Sequence, residues 1–183
     1  FDCNGNCTVE TDCNDICGGD AVEDECGICE GDGTSCINLD QLDIISWNLE
    51  NFPKSYATAD SLSYIINDLY VDIVALQEIT QTSALEELSN NLGENWNAYI
   101  SYAGYGTLYL AYLINTNEII INNDYSILHS NTYLFAGRLP YVIEFSYRGE
   151  NYTIINIHYK CCDGSEERRL NASIALEEYI NSY

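Results

Sequence analysis

From residue 37 onward the chain switches between two hydrophobic periods. "LDIISWNL" (42–49) and "DIVALQE" (72–78) are short apolar runs of strand length, and each ends in polar groups. Between them, "TADSLSYIINDLY" (58–70) spaces Leu62, Ile65, Ile66 and Leu69 at i, i+3, i+4 and i+7, one stripe of a helix. "TSALEELSNNL" (82–92) predicts a second helix, with Ser83 and Glu86 spaced as a capping box and Leu85, Leu88 and Leu92 facing inward. Four strand-like runs follow: 96–102, 107–115, 118–128 and 139–159. The last breaks at Arg148-Gly149-Glu150-Asn151, a hairpin turn. A final helix is expected over 166–183, with Ala172, Ala175, Leu176, Tyr179, Ile180 and Tyr183 on one stripe. The pattern predicts an α/β domain over 37–183, with a largely antiparallel sheet and helices on one face.

Residues 1–36 have another texture. They are rich in Cys, Asp, Asn and Gly and hold few large apolar groups, so disulfides or ions must stabilise them. "DCNGNC" and "DCNDICGGD" suggest an internal duplication. Seven of the nine cysteines (Cys3, Cys7, Cys13, Cys17, Cys26, Cys29 and Cys36) fall here, a density expected of an oxidising compartment. Seven cannot all pair among themselves. Cys161 and Cys162 are adjacent, and the strain of a ring between neighbours predicts bonds to distant partners or one free thiol. The Asp/Cys run resembles the thrombospondin type 3 calcium repeats of secreted proteins. That resemblance implies disulfides and Ca²⁺, with Asp12, Asp15, Asp20, Asp24 and Asp32 as candidate ligands. A stapled spacer with merely solvated carboxylates stands beside it as the plainer reading.

Charge narrows the function. The net charge is −23, from 29 acidic residues against six basic ones, and such a surface repels a polyphosphate backbone, which weighs against nucleic acid as partner. No run of eighteen apolar residues exists, so no membrane span is expected. The chain contains no methionine, which reads as a processed form or a fragment. Sequons at Asn6, Asn151 and Asn171 agree with the cysteines in pointing to a secreted, glycosylated protein.

Candidate chemistry sits at strand ends. Asn48 and Glu50 in "ISWNLENF" share one face by alternation, as do Asn156 and His158 in "TIINIHYK", while Glu78 ends "DIVALQEI". Buried unpaired groups of this kind cost kilocalories, so convergence on a divalent cation would give them a shared partner. Each also has an ordinary structural role open to it: a turn cap for Asn48, an ion pair with Arg138 or Lys54 for Glu78, a hydrogen-bonded sheet position for His158.

Their order resembles the endonuclease/exonuclease/phosphatase superfamily. The matching pieces are "ISWNLENF", "DIVALQEI", "GRLPYVIEF", "INIHYKCC" and "EERRLNASIALEEYI", over roughly residues 40–183. The resemblance implies one half of an α/β/β/α sandwich and a divalent-metal-dependent phosphoesterase acting on a phosphate ester. It makes Glu78 the principal ligand for Mg²⁺ or Mn²⁺ (or Ca²⁺), Asn48 a second metal-side group, and Arg138 a phosphate-side arginine. His158 would contact a phosphate oxygen, with Asn156 supporting it as a catalytic-site residue.

The family's later Gly-Asp-x-Asn strand end and Asp-His pair do not occur in these residues. Half a site should bind phosphate and hydrolyse it poorly. A single sheet with helices on one face would also leave its other face apolar and wet. The expectation is a covering layer: polypeptide continuing past Tyr183, or another subunit. That second option carries the alternative function, a non-catalytic extracellular structural, filament-forming or adhesion subunit that self-assembles.

Overall fold

The computed structural model describes residues 7–24, 27–31 and 41–182, and the chain divides into two compact units at residues 41 and 42. Cys3, Cys26, Cys36, Asn6, Asp32 and Tyr183 lie outside the described residues.

The first unit is stapled by Cys7–Cys17 and Cys13–Cys29. Of the expected duplication, "DCNGNC" lies outside the described residues except for Cys7; a different repeat, "TDCNDICGG" and "EDECGICEG", twelve residues apart, makes the equivalent bridges Thr11↔Cys17 and Glu23↔Cys29. Asp15 and Gly18 in the first, Gly27 and Glu30 in the second, take left-handed conformations at matching positions. Asp12 closes its loop by accepting the N–H groups of Asn14 and Ile16 at 3.0 and 2.8 Å, and Asp24 accepts that of Ile28 at 2.9 Å. A side chain on Gly19 or Gly31 would collide with those carboxylates. Two proposed calcium ligands thus serve as loop closures. Among the described residues no three His, Cys, Asp or Glu side chains cluster as a metal site.

The second unit runs β1 (Ile44–Phe52), α1 (Thr58–Asp68), β2 (Ile73–Ile79), α2 (Thr82–Leu92), β3 (Trp96–Ser101), β4 (Tyr109–Asn115), β5 (Ile119–Ser126), β6 (Tyr141–Tyr147), β7 (Glu150–Asn156) and α3 (Glu166–Asn181). These form two sheets, ordered β1-β2-β4-β3 and β5-β6-β7. Only the β1–β2 pairing is parallel. The turn between β6 and β7 is Arg148-Gly149, both left-handed, which matches the twist of a tight hairpin.

Helices α1 and α2 cover one face of the first sheet through Leu62, Ile66, Leu85, Leu88 and Leu92. The buried stripe of α1 is Ala59, Leu62, Ser63 and Ile66; Ile65 and Leu69 of the expected stripe are exposed. The capping box does not form either, because α2 begins at Thr82, ahead of Ser83, and has no side-chain cap.

The largest departure from expectation concerns the other face. It is not bare: Ile73, Ala75, Leu110, Tyr112 and Ile114 pack on Ile119, Tyr141, Ile143 and Phe145 of the second sheet. Strands β5 to β7 separate into their own sheet because their alternate apolar residues need a dry partner, and the second face of β2 and β4 is one. Leu176, Tyr179 and Ile180 of α3 line a cavity together with Tyr125, Val142 and Ile155 on the outside of that sheet; of the stripe expected on α3, Ala172 is buried while Ile180 is 52% exposed. Helix, sheet, sheet and helix therefore stack as four layers. What stays open is narrower, a groove between edge strands β1 and β7 lined by Ile44, Ser46, Ala75, Ile154 and Ile157. No helix among the described residues is long and apolar enough to cross a membrane.

Candidate functional site

Strand β2 is buried along its length until Glu78, and two irregularities surround that residue. Toward β4, the pairing shifts between Leu76 and Ile79, with one extra residue on β2. Toward β1, it shifts between Asn48 and Phe52, with two extra residues on β1. Glu78 has φ 63°, a left-handed conformation that costs a non-glycine residue about 1 kcal/mol or more. A bulge of this kind turns a side chain out of the alternation. It carries the carboxylate from a dry strand to the rim, where its side chain is 17% exposed.

Three of the residues read from the sequence meet Glu78 there. His158 Nε2 lies 3.6 Å from Glu78 Oε1. Asn48 Nδ2 approaches the same oxygen at 3.5 Å, the long limit of a hydrogen bond, while its Oδ1 accepts the Glu50 N–H at 2.9 Å. Arg138 shares the cavity with Glu78 and His158 and donates to the Tyr159 carbonyl at 3.4 Å. Two buried nitrogens, Arg138 Nε and His158 Nδ1, have no hydrogen-bond partner among the described residues. Burial, and then the charge on Arg138, holds the His158 imidazole below its ordinary pKa against the pull of Glu78. Burial also lowers the guanidinium of Arg138, with Glu78 opposing.

Two expected members stand elsewhere. Glu50 falls in the β1 bulge, where it and Asn51 are left-handed, so alternation with Asn48 fails and its carboxylate pairs instead with Lys54 at 3.6 Å. Asn156 is 4% exposed and fully engaged in the interior. Its Nδ2 donates to the carbonyls of Leu76 and Ala111 at 2.9 and 3.0 Å, and its Oδ1 accepts from Gln77 Nε2 at 2.8 Å. Leu76 and Ala111 are the last paired residues before the β2–β4 shift, so Asn156 supplies donors where the ladder is interrupted. It ties the sheets together behind the site. Gln77, which also reaches Ser46 Oγ at 3.1 Å, completes that tie and was not singled out from the sequence.

The cavity, about 420 Å³, is further lined by Tyr105, Tyr133, Ala136, Lys160, Cys161 and Arg168. None of these was read as a site residue in that role. The loop carrying Tyr105 is locked to the loop of Arg138 by the Gly104↔Arg138 bridge and by the Tyr105 N–H on the Gly137 carbonyl at 3.0 Å. Gly104 and Gly137 are both left-handed, and a Cβ on either would meet backbone of the other loop. Arg168 donates through Nε and Nη2 to the Tyr133 carbonyl and lies over its ring, 4.1 Å from the centroid. Cys161 and Cys162, expected to bond to distant partners or to leave one free thiol, are both free and exposed. Asn151 and Asn171 are exposed, on β7 and α3.

No protein-family profile and no curated protein matches the sequence. Solved structures do match. D. rerio TDP2 complexed with single strand DNA product superposes with a TM-score of 0.62 at 18% identity, over 78% of this chain and 56% of that one. An endonuclease/exonuclease/phosphatase from Bacteroides vulgatus gives 0.55 at 14%, over 76% and 59%. The mannosyl-6-phosphatase Bt3783 of Bacteroides thetaiotaomicron gives 0.58 at 13%, over 78% and 60%. The chain thus has the fold of the endonuclease/exonuclease/phosphatase proteins and spans 56–60% of the length of these three.

Proposed function

We propose that this chain supplies the metal- and phosphate-binding part of a secreted, divalent-metal-dependent phosphoesterase. The observation that carries the proposal is Glu78, held in a strained left-handed conformation at a bulge, 3.6 Å from His158 in a cavity that also contains Arg138. Strain of this kind persists where the surrounding structure over-determines it, and it clusters at active sites and ligand clamps.

The donor set fits a hard cation. Glu78 offers carboxylate oxygen, while Asn48 turns its Nδ2 toward Glu78 and would have to release its Oδ1 from the Glu50 N–H to serve as a second ligand. Mg²⁺ or Mn²⁺ is commonly held by one or two carboxylates together with substrate phosphate, whereas Ca²⁺ draws on six to eight oxygens. Such a cation would neutralise charge on a phosphoryl oxygen. The chain's own residues do the rest. Arg138 lines the cavity with a guanidinium whose Nε has no partner among the described residues, and His158, held toward its neutral form by burial, offers a ring nitrogen to a phosphate oxygen. Among the described residues lining the cavity, Glu78 is the single carboxylate. Secretion is supported by the two disulfides and the exposed sequons.

The test is Mn²⁺ binding to the full chain, followed by water-proton relaxation. Wild type should bind, and Glu78→Gln should bind at least tenfold more weakly. Equal binding by the two would overturn the proposal. A second reading, an assembly subunit, is favoured by the open groove between edge strands β1 and β7. It requires a concentration-dependent oligomer in light scattering; a monomer at every concentration removes it.

A further inference from the structure

We propose that the cavity selects a small phosphomonoester in its dianionic form over a phosphodiester or a nucleic-acid strand. The inference rests on the phosphoesterase reading and narrows its substrate.

Charge distribution is the first ground. Only six basic residues occur in the chain, yet Arg138, Lys160 and Arg168 line this one cavity. A fourth, Arg169, fixes its wall by donating to the carbonyls of Lys160 and Cys162, both at 3.2 Å. Three cations against the one carboxylate of Glu78 leave the lining at +2, so the rest of the chain carries −25. A compact dianion finds its complement inside the cavity. A strand of linked phosphates would have to lay its neighbouring charges along the acidic exterior.

Donor geometry is the second ground. Arg138 Nε is buried without a partner, and its Nη2 contact to Tyr159 is long at 3.4 Å. The guanidinium that lines the cavity therefore keeps donor capacity that no described residue uses. A terminal phosphate presents three non-bridging oxygens where a diester presents two, and above a second pKa of about 6 it carries two charges rather than one.

The walls bound the alcohol. Tyr105 and Tyr133 flank the cavity and are 62% and 69% exposed. The guanidinium on the Tyr133 ring keeps that wall cationic as well as flat. With a volume of about 420 Å³, the space suits a phosphate carrying one ring, a sugar or an aryl group.

The experiment is calorimetry on the full chain with Mg²⁺ at pH 7.5, using phenyl phosphate, methyl phenyl phosphate and a deoxythymidine decanucleotide without terminal phosphates. Phenyl phosphate should bind at least tenfold more tightly than the other two. Lys160→Gln should weaken it several-fold, while Lys54→Gln, the same charge change away from this cavity, should leave it unaltered; tryptophan fluorescence checks that both variants are folded. Equal or tighter binding of the diester or the oligonucleotide overturns the preference and leaves the phosphoesterase reading standing. An equal effect of the two lysine substitutions reduces the preference to overall charge and also overturns it. Binding of none of the three overturns both.

Discussion

Replacing Asn156 by alanine separates a structural tie from a catalytic group. The amide donates to two buried carbonyls and accepts one bond from Gln77, with all three distances between 2.8 and 3.0 Å. A satisfied neutral hydrogen bond contributes about 1 kcal/mol net, and a buried group stripped of its partner costs about 1–3 kcal/mol. Alanine removes three bonds and leaves the carbonyls of Leu76 and Ala111 short of donors in the interior, while Gln77 Nε2 keeps Ser46 Oγ and the Ala75 carbonyl. The expected loss is about 3–4 kcal/mol, or about 10 °C in Tm for a unit of this size. Urea unfolding followed by tryptophan fluorescence reads it directly, because Trp47 and Trp96 both belong to the second unit. Asn48→Ala is the comparison. That side chain is exposed and its bond to Glu78 is long, so it should cost no more than about 0.5 kcal/mol. Gln77→Leu and Asn156→Leu together should cost less than the sum of the two alone, since the double variant no longer strands one amide against the other. An Asn156→Ala protein within about 0.5 kcal/mol of wild type would refute the reasoning and return Asn156 to the site.

Other outcomes follow from the rim. His158 is pushed below its ordinary pKa of 6.5, first by burial and then by Arg138, so its neutral form favours folding. That contribution is complete above pH 6.5 and is lost as pH falls below it toward the folded value. The imidazole should titrate below 6.5 by NMR, and a midpoint above 6.5 would contradict the assignment. Glu78→Gly should be about 1 kcal/mol more stable than Glu78→Gln in urea, because glycine adopts the left-handed backbone freely while both variants lose the carboxylate. If glutamine proves the more stable, the strain argument fails. The Cys161 thiol is lowered from its ordinary pKa by its hydrogen bond to Cys162 and by Lys160, whereas Cys162 is raised by its neighbour. Iodoacetamide at pH 7.5 should modify Cys161 first in a peptide-mapping time course, and simultaneous or reversed labelling would rule out that ordering.

The elements were legible in the sequence because their periods are local. Every expected strand and helix from residue 42 onward forms, and Leu85, Leu88 and Leu92 are buried as their spacing requires. The division into two sheets was not legible. An apolar run such as Ile73–Leu76 shows that both faces are dry but not which layer dries the second one, and that depends on residues 40 to 80 positions away. The site divides along the same line. Glu78 and His158 were visible as charged or titratable groups at the ends of apolar strands. Tyr105, Tyr133 and Lys160 come from separate loops and Arg168 from the first turn of α3, and only fold geometry brings them to one cavity. One signal for the last two was present, since three of the six basic residues cluster within eleven positions after His158. Alternation misled at two points for one physical reason, that period two holds only inside a regular strand. Strand β7 ends at Asn156, so His158 need not share its face, and the left-handed pair at Glu50 and Asn51 takes Glu50 out of step with Asn48. The same kind of irregularity acts on Glu78. In an unbroken strand, residue 78 would share a face with Leu76, buried against α1 and α2, where an ionised carboxylate would cost several kilocalories without a partner. The extra residue on β2 brings Glu78 out to the rim beside His158, so the bulge that defeats the simple pattern is what makes a charged strand end tolerable and usable.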